Sequence, residues 1–489
     1  MAQPIVVNRD IIEMEYAVRG PIAQRAAALR KQGRSVIPCH IGNPQALGQQ
    51  PVSFYRQVLS LVEEPGRIER ERRLGRRLAA SARATSGGPA AEEAISDYVL
   101  DLGASILSRL ESGMGAYTES KGPAFIREAI AAYIDARDSA DGGPALRAEP
   151  ENIFLTNGAS EGARFLIEAL IADRSDGILI PTPQYPLYSA TIRKNGGAQV
   201  SYYPDEDDGW SLGPEVLDDA MRRAEAAGVR LKAIVVINPG NPTGAVLDEP
   251  SIEGVVRFAE KHGLVIIADE VYQENVYGGR FVSFASVIGR RDVPLCSLHS
   301  TSKGYYGECG HRGGYLEVRH PPRVQGTDAT LVDILLKQAS VSLCANTAGQ
   351  LLTFLMVSPP PPGSPPHAAF TRERQTILGD LYDKAGLVRA AFERMEGVRC
   401  FGRTGAMYLF PRLEKLPPGA SDFDYCMRLL ESTGLCTVNG AGFGQREGTS
   451  HLRIAFLPPR AVLEEALPRW IAFHNEYVNA KVASPATPR

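Results

Sequence analysis

Lys303 stands in the stretch HSTSKGYYGECGHRGG, directly after an apolar run and flanked by Ser300, Ser302 and Gly304. A lysine withdrawn from water holds its proton less tightly, and the free amine can attack an aldehyde to form an imine and later carry a proton. On residue type alone an exposed loop lysine is the commoner case. Arg312 changes that balance, because it follows closely among glycines, and a guanidinium beside hydroxyls suits a phosphate dianion held by paired hydrogen bonds. The chemistry implied is covalent capture of an aldehyde cofactor that also carries a phosphate.

Other residues fit the same chemistry, each with a plainer reading beside it. Asp269 closes the almost wholly apolar run LVIIADE, where a carboxylate is costly unless something cationic meets it. A protonated ring nitrogen is such a partner; a helix cap is the plainer alternative. Asn241, in NPGNPTG, and Tyr272, in DEVYQ, could donate to a phenolic oxygen of the cofactor and stabilise it as an anion, whereas NPGNPTG may be read simply as a tight turn. TNGASEG joins a strand to a helix through small residues, so Ala159 and Ser160 could bind phosphate through free amides, or Ser160 could be a plain cap. Tyr185, in PQYP, could stack on a cofactor ring or merely pack.

These residues sit at the ends of strands. Apolar runs begin at Ile153, Gly177, Ala198, Ala233, Leu264, Cys296 and Gly313, and helical segments alternate with them. Runs apolar throughout predict a mainly parallel seven-stranded sheet covered on both faces, with one antiparallel strand from the closely spaced last pair. That is a three-layer α/β/α domain, in which ligands bind at the carboxyl ends of the strands. Five such ends are polar or glycine-rich and are expected to share one crevice.

The rest of the chain bounds the possibilities. Its 489 residues, 44% of them hydrophobic, support a sizeable core, and a net charge of -3 gives no general attraction to nucleic acid. No stretch approaches a membrane span and the N-terminus lacks a secretion signal, so a cytoplasmic location is expected. Seven cysteines show no metal-ligand spacing and are read as reduced, mostly buried thiols, with no metal. The charged run RIERERRLGRR from Arg67 reads as a solvated helix face, RATSGGPAAEE from Arg83 as low in order, SPPPPGSPP from Ser358 as a rigid connector, and the tail from Lys481 as frayed.

In this order the motifs resemble class I/II aminotransferases of fold type I, and most closely the alanine aminotransferase family. The resemblance takes in EYAVRGPIAQRA from Glu15, FYRQVLSL from Phe54, PQYPLYSAT from Pro183, VINPGNPTG from Val236, DEVYQENVY from Asp269, the Lys303 stretch, GAMYLFPRL from Gly405 and GFGQREGTSHLRIAFLPP from Gly442. It implies pyridoxal 5′-phosphate (PLP) as cofactor, with Lys303 as its Schiff-base lysine, Asp269 on the ring nitrogen, and Asn241 and Tyr272 on the phenolic oxygen. Ala159, Ser160, Ser300 and Arg312 become the phosphate site, and Tyr185 stacks on the ring. Tyr117, in GAYTESKG, resembles the tyrosine that reaches a neighbouring subunit's phosphate, which implies a homodimer. Arg453, in SHLRIAF, becomes the clamp for the substrate carboxylate, with an ordinary strand-edge arginine as the alternative, and Gly42 belongs to the loop that closes over it.

The implied architecture is a large PLP-binding domain over 96–357 and a smaller α+β domain. The smaller domain draws on an N-terminal arm over 1–95 and a C-terminal segment over 381–489, and a connector and linking helix over 358–380 joins it to the large domain. The implied reaction moves the amino group of a small, alanine-like L-amino acid to a 2-oxo acid such as 2-oxoglutarate. The chain departs from the family at Cys39 and His40, at Asn43-Pro44, and at His311 and Asn439. His40 could be a satisfied polar residue or an extra acid or base. Because PLP chemistry also permits elimination, replacement and carbon–carbon bond formation, a lyase or replacement enzyme is the alternative. A ligand sensor would call for a lost lysine or an added nucleic-acid-binding segment, and Lys303 is present.

Overall fold

The computed structural model describes residues 4–12, 14, 20–84, 95–139 and 147–480. Residues 15–19 of the EYAVRGPIAQRA motif, 85–93 of the expected low-order stretch, and the tail from Lys481 lie outside the described residues.

All seven apolar runs are strands of one sheet. Its order is Ile153–Leu155, Gly314–Arg319, Leu295–Ser300, Val265–Asp269, Arg230–Ile237, Asp176–Pro181 and Ala198–Tyr202. Every residue of Asp176–Pro181, Val265–Asp269, Leu295–Ser300 and Gly314–Arg319 is buried. Burial on both faces is why these strands read as continuous apolar runs rather than alternating ones. Asp176–Pro181 runs parallel to both its neighbours, and Arg230–Ile237 runs parallel to Val265–Asp269. The antiparallel member is Gly314–Arg319 against Ile153–Leu155. In the register Ile237 is opposite Asp269, so the NPGNPTG turn leaves the sheet level with the DEVYQ turn, and Asn238 N donates to Asp269 O at 3.0 Å.

By the density of its contacts the chain forms two compact units, one of residues 1–48, 166–297 and 379–489, the other of residues 49–165 and 298–378. In the first unit, helix Glu249–His262 shows how local sequence supports the sheet. Asp248 caps it by accepting from Ser251 N at 3.0 Å, Pro250 lies in its first turn, and Gly263 ends it at φ 63°. Ile252, Val255, Val256 and Ala259, at three- and four-residue spacing, join Ile234 and Ile266 in the core. The C-terminal part of this unit holds an antiparallel sheet of Tyr408–Leu409, Leu452–Ala455 and Val438–Asn439, with Val438 opposite Arg453. Ile37–Pro38 pairs in parallel with Leu435–Cys436, and Ala455 N donates to Cys39 O at 2.7 Å. The segment carrying Cys39 and His40 is thereby pinned beside the Arg453 strand.

In the second unit, helices Ser53–Glu63, Ala124–Ser139 and Thr347–Val357 contribute Val58, Ile130 and Leu355 to one core. The expected connector lies between Ser358, which ends one helix, and His367, which begins the next. That next helix continues to Phe392, across residue 381. The charged run is helical over Gly66–Ala84, with Arg67 and Glu71 paired at 3.0 Å on one face. All seven cysteines are free thiols. Among the described residues no helix is long and apolar enough to cross a membrane, and no group of three His, Cys, Asp or Glu residues is arranged to hold a metal.

Candidate functional site

The expected site residues fall into two groups, one in each unit. In the second unit Lys303 follows strand Leu295–Ser300 in a turn where Gly304 and Gly307 both have positive φ, and Gly307 N donates to Lys303 O at 3.3 Å. Lys303 itself is half-buried. Ser300 is buried; its Oγ lies 3.0 Å from Ser302 Oγ and 3.0 Å from Gly313 O. Arg312 reaches back to the start of helix Ala159–Leu170, where Nη2 donates to Ser160 Oγ at 3.0 Å and to Asn157 O at 2.9 Å. Two backbone features permit that reach. Arg312 adopts a left-handed conformation at φ 54°, and Gly158 leaves room, since a Cβ there would sit 2.5 Å from Arg312 Nη2. Tyr117 is 78% exposed.

The first unit carries the acid and the second arginine. Asp269 is 6% exposed, at the end of its strand, and accepts from Tyr188 Oη at 2.7 Å. Burial, and then the adjacent carboxylate, push the Tyr188 phenol well above its ordinary range, so it acts only as a donor here. Tyr272 Oη lies 3.3 Å from Tyr408 Oη, and burial, then Tyr408, likewise raises its pKa well above the usual value. Tyr185 is half-buried in the turn before helix Leu187–Lys194.

Arg453 is 1% exposed. Its Nη1 donates to Asn241 Oδ1 at 3.0 Å and its Nη2 to His40 O at 2.6 Å. Tyr408 and Phe443 lie against the guanidinium, with ring centroids 4.3 and 4.6 Å away. Nε is buried without a hydrogen-bond partner, and among the described residues no carboxylate forms an ion pair with it. Because the Asn241 carbonyl oxygen is turned to Arg453, its NH2 group faces elsewhere as a donor. His40 is half-buried, and burial, then Arg30 and Arg453, lower its pKa to about 4, so the ring is neutral at physiological pH. Gly42 is half-buried in the loop that follows.

Several residues in these groups were not singled out from sequence. Tyr188 was within sight, one helical turn after Tyr185, but its bond to Asp269 joins positions 81 residues apart. Tyr408 and Phe443, which line the guanidinium, lie in the quoted motifs GAMYLFPRL and GFGQREG without a polar signal to mark them. Asn157 ties the phosphate-site turn together, because its Oδ1 accepts from Asn346 N at 2.9 Å and its Nδ2 donates to Glu161 Oε1 at 3.0 Å.

The donor sets suit PLP. In the second unit an arginine, serine hydroxyls and the first amides of a helix offer what a phosphate dianion accepts. In the first unit a buried carboxylate, already oriented by a tyrosine, offers an acceptor for a protonated ring nitrogen. Comparison with known proteins decides the family: the family described as aminotransferase class I and II matches residues 91–469. The chain belongs to it. Among similar proteins, alanine aminotransferase 2 of Panicum miliaceum is 40% identical, with 96% of this chain and 97% of the relative covered. Glutamate–glyoxylate aminotransferase 1 of Arabidopsis thaliana is 39% identical, with 96% and 95% covered. The solved structure of an alanine aminotransferase from Pyrococcus furiosus superposes with a TM-score of 0.75 at 25% identity, covering 96% of this chain and 100% of that one. The protein is thus a fold-type I, PLP-dependent aminotransferase, an enzyme that transfers an amino group between an amino acid and a 2-oxo acid.

Proposed function

We propose that this aminotransferase moves the amino group of a small L-amino acid, alanine being the type, to a 2-oxo acid such as 2-oxoglutarate. The observation that carries the reading is Arg453, a buried guanidinium with aromatic walls and no carboxylate paired with it among the described residues. A charge so placed is costly until an anion meets it, and a substrate carboxylate is that anion.

When bound, PLP withdraws electrons from the substrate Cα and makes its hydrogen acidic. The chain's own residues do the rest. Lys303 Nζ removes and returns the proton, while Asp269, held by Tyr188, accepts from the ring nitrogen. Ala159, Ser160, Ser300 and Arg312 would hold the phosphate, Tyr185 would stack on the ring, and Asn241 and Tyr272 would donate to its phenolic oxygen. Arg453 would hold the substrate carboxylate and so orient the Cα–H bond for loss of its proton, and the Gly42 loop would close over it. Tyr117, exposed in the single chain, is assigned to a partner's phosphate site, which makes the working form a homodimer.

The domain reading, 96–357 as the PLP-binding part with 1–95, 358–380 and 381–489 as arm, connector and small domain, is proposed with it. So is a cytoplasmic location, which seven free thiols suit; cell fractionation against organelle markers tests it. The activity is tested by the visible absorbance of the purified holoenzyme, titrated with L-alanine and then 2-oxoglutarate. Loss of the band with alanine and its return with the oxo acid are expected, and Lys303→Ala should show neither. Release of a β or γ substituent from the amino acid without that cycle would favour the lyase reading.

A further inference from the structure

His451 has no part in the mechanism above, yet it is 2% exposed and lies two residues before Arg453 in sequence. Its Nε2 is 3.0 and 3.1 Å from the two carboxylate oxygens of Glu206, and its Nδ1 is 2.9 Å from Gln445 Oε1. The orientation of Gln445 is fixed, because its Nε2 donates to Asp422 Oδ2 at 2.8 Å. Turning the amide over would set its oxygen against that carboxylate. Both ring nitrogens of His451 therefore face acceptors. Only the imidazolium form has two N–H groups to give.

The ring holds more than itself. Asp422 Oδ2 also accepts from Ala441 N at 2.9 Å, and Gly440 N donates to His451 O at 2.8 Å. A Cβ on Gly440 would lie 2.5 Å from Gln445 Oε1 and 2.7 Å from His451 Cβ, so the turn Gly440–Phe443 is packed directly onto this network. Phe410 stacks on His451 at 4.8 Å and 7°, and meets Phe443 edge-on at 6.1 Å and 89°. Phe443 is the ring that lies against Arg453.

The charged groups around His451 come from three segments. Glu206 faces it directly, and Arg412, from strand Arg412–Leu413, donates to Glu206 at 3.2 Å. Asp422, at the start of helix Asp422–Thr433, acts through Gln445, while Asp207 and Glu414 sit on the other side of Arg412, at 2.8 and 3.0 Å. If the ring loses a proton, one nitrogen lone pair faces an oxygen lone pair. Either Glu206 or the Gln445 turn must then give way.

We infer that His451 is a positioning residue: as an imidazolium bridging Glu206 and Gln445 it sets the Gly440–Phe443 turn against Arg453, and its deprotonation loosens the grip on the substrate carboxylate. This rests on the proposed role of Arg453. The state of the ring is read in holoenzyme labelled with 15N-histidine, the His451 signals being those absent from His451→Phe. Both ring nitrogens protonated at neutral pH is the expected result, and a neutral ring overturns the inference.

Its consequence is read in KM for L-alanine across pH. The wild type should show KM rising about tenfold on the alkaline side, the worth of one hydrogen bond to a charged group, with kcat at saturation nearly constant. In Glu206→Gln the amide can donate to a neutral ring, so that rise should vanish, although the substrate's own amine titrates identically for both proteins. Coincident profiles overturn the inference. His451→Phe keeps the stack on Phe410; folded and loaded with PLP, it should have KM raised about tenfold at every pH, and an unchanged KM sinks the idea. Arg453→Lys with unchanged KM would instead count against the carboxylate clamp, leaving the ring signals to stand.

Discussion

Two arginines, one in each unit, are held in opposite ways. Arg312 is exposed and grips mostly backbone, the carbonyls of Asn157 and Cys309, with a single hydroxyl, that of Ser160. Its own left-handed backbone and Gly158 decide where the guanidinium lies. Arg453 is enclosed by two aromatic rings and fixed by Asn241 and by the carbonyl of His40. The first arrangement suits a dianion that stays, since an open guanidinium beside helix amides gives strong attraction without a demand for shape. The second suits a monoanion that comes and goes, since low-dielectric walls strengthen one bidentate contact and exclude what does not fit.

Substitutions that separate holding the cofactor from holding the substrate bear most directly on this contrast. Arg453→Lys should cost the most: truncating one side of a buried, hydrogen-bonded charge pair costs about 2–5 kcal/mol, so kcat/KM for L-alanine should fall roughly 30- to 5,000-fold. PLP content, measured by absorbance after gel filtration, should be unchanged; loss of cofactor instead would collapse the distinction. Arg312→Gln should do the reverse, weakening PLP retention by roughly 10- to 100-fold while leaving KM for alanine intact in excess PLP. Tyr188→Phe removes the donor to Asp269 and should lower kcat only about fivefold, near 1 kcal/mol, with both binding steps unaffected.

The smallest effect concerns His40, whose carbonyl holds Arg453 but whose ring is neutral. Its pKa is lowered from 6.5 to about 4, so between those values the unfolded chain binds more of this proton than the folded one. That contribution to stability is complete above pH 6.5 and is lost as pH falls toward 4. His40→Asn should therefore show a shallower fall of the thermal midpoint over this window, by a degree or two. Equal slopes for the two proteins would mean that the ring is not withdrawn from water.

The same contrast separates what the sequence made legible from what it did not. Arg312, Ser160 and Lys303 sit in short motifs whose glycines and strand ends mark each of them locally, although Ser160 meets Arg312 across 152 residues and the resemblance was needed to group them. Five of the seven strands were marked for the same reason, because two-sided burial writes itself into every residue of a strand, whereas Ala198–Tyr202 and Arg230–Ile237 keep exposed positions. Arg453 was found through resemblance to a family, not through its neighbours. Its carbonyl partner is 413 residues away, and the phenylalanine and tyrosine beside it look like ordinary core. Lys303 is half-buried rather than fully withdrawn, a matter of the turn's depth that its flanking residues do not encode.

The separation of 413 residues between His40 and Arg453 has a consequence for synthesis. A ribosome makes the chain from one end, so every member of the proposed phosphate cradle, through Arg312, is outside the tunnel long before Arg453 has been translated. For that interval the nascent protein has the residues proposed to hold PLP, and it has His40 and Asn241 without the guanidinium that they meet. A messenger broken upstream of codon 453 would yield a chain with its proposed cofactor residues written in full and its proposed carboxylate clamp missing.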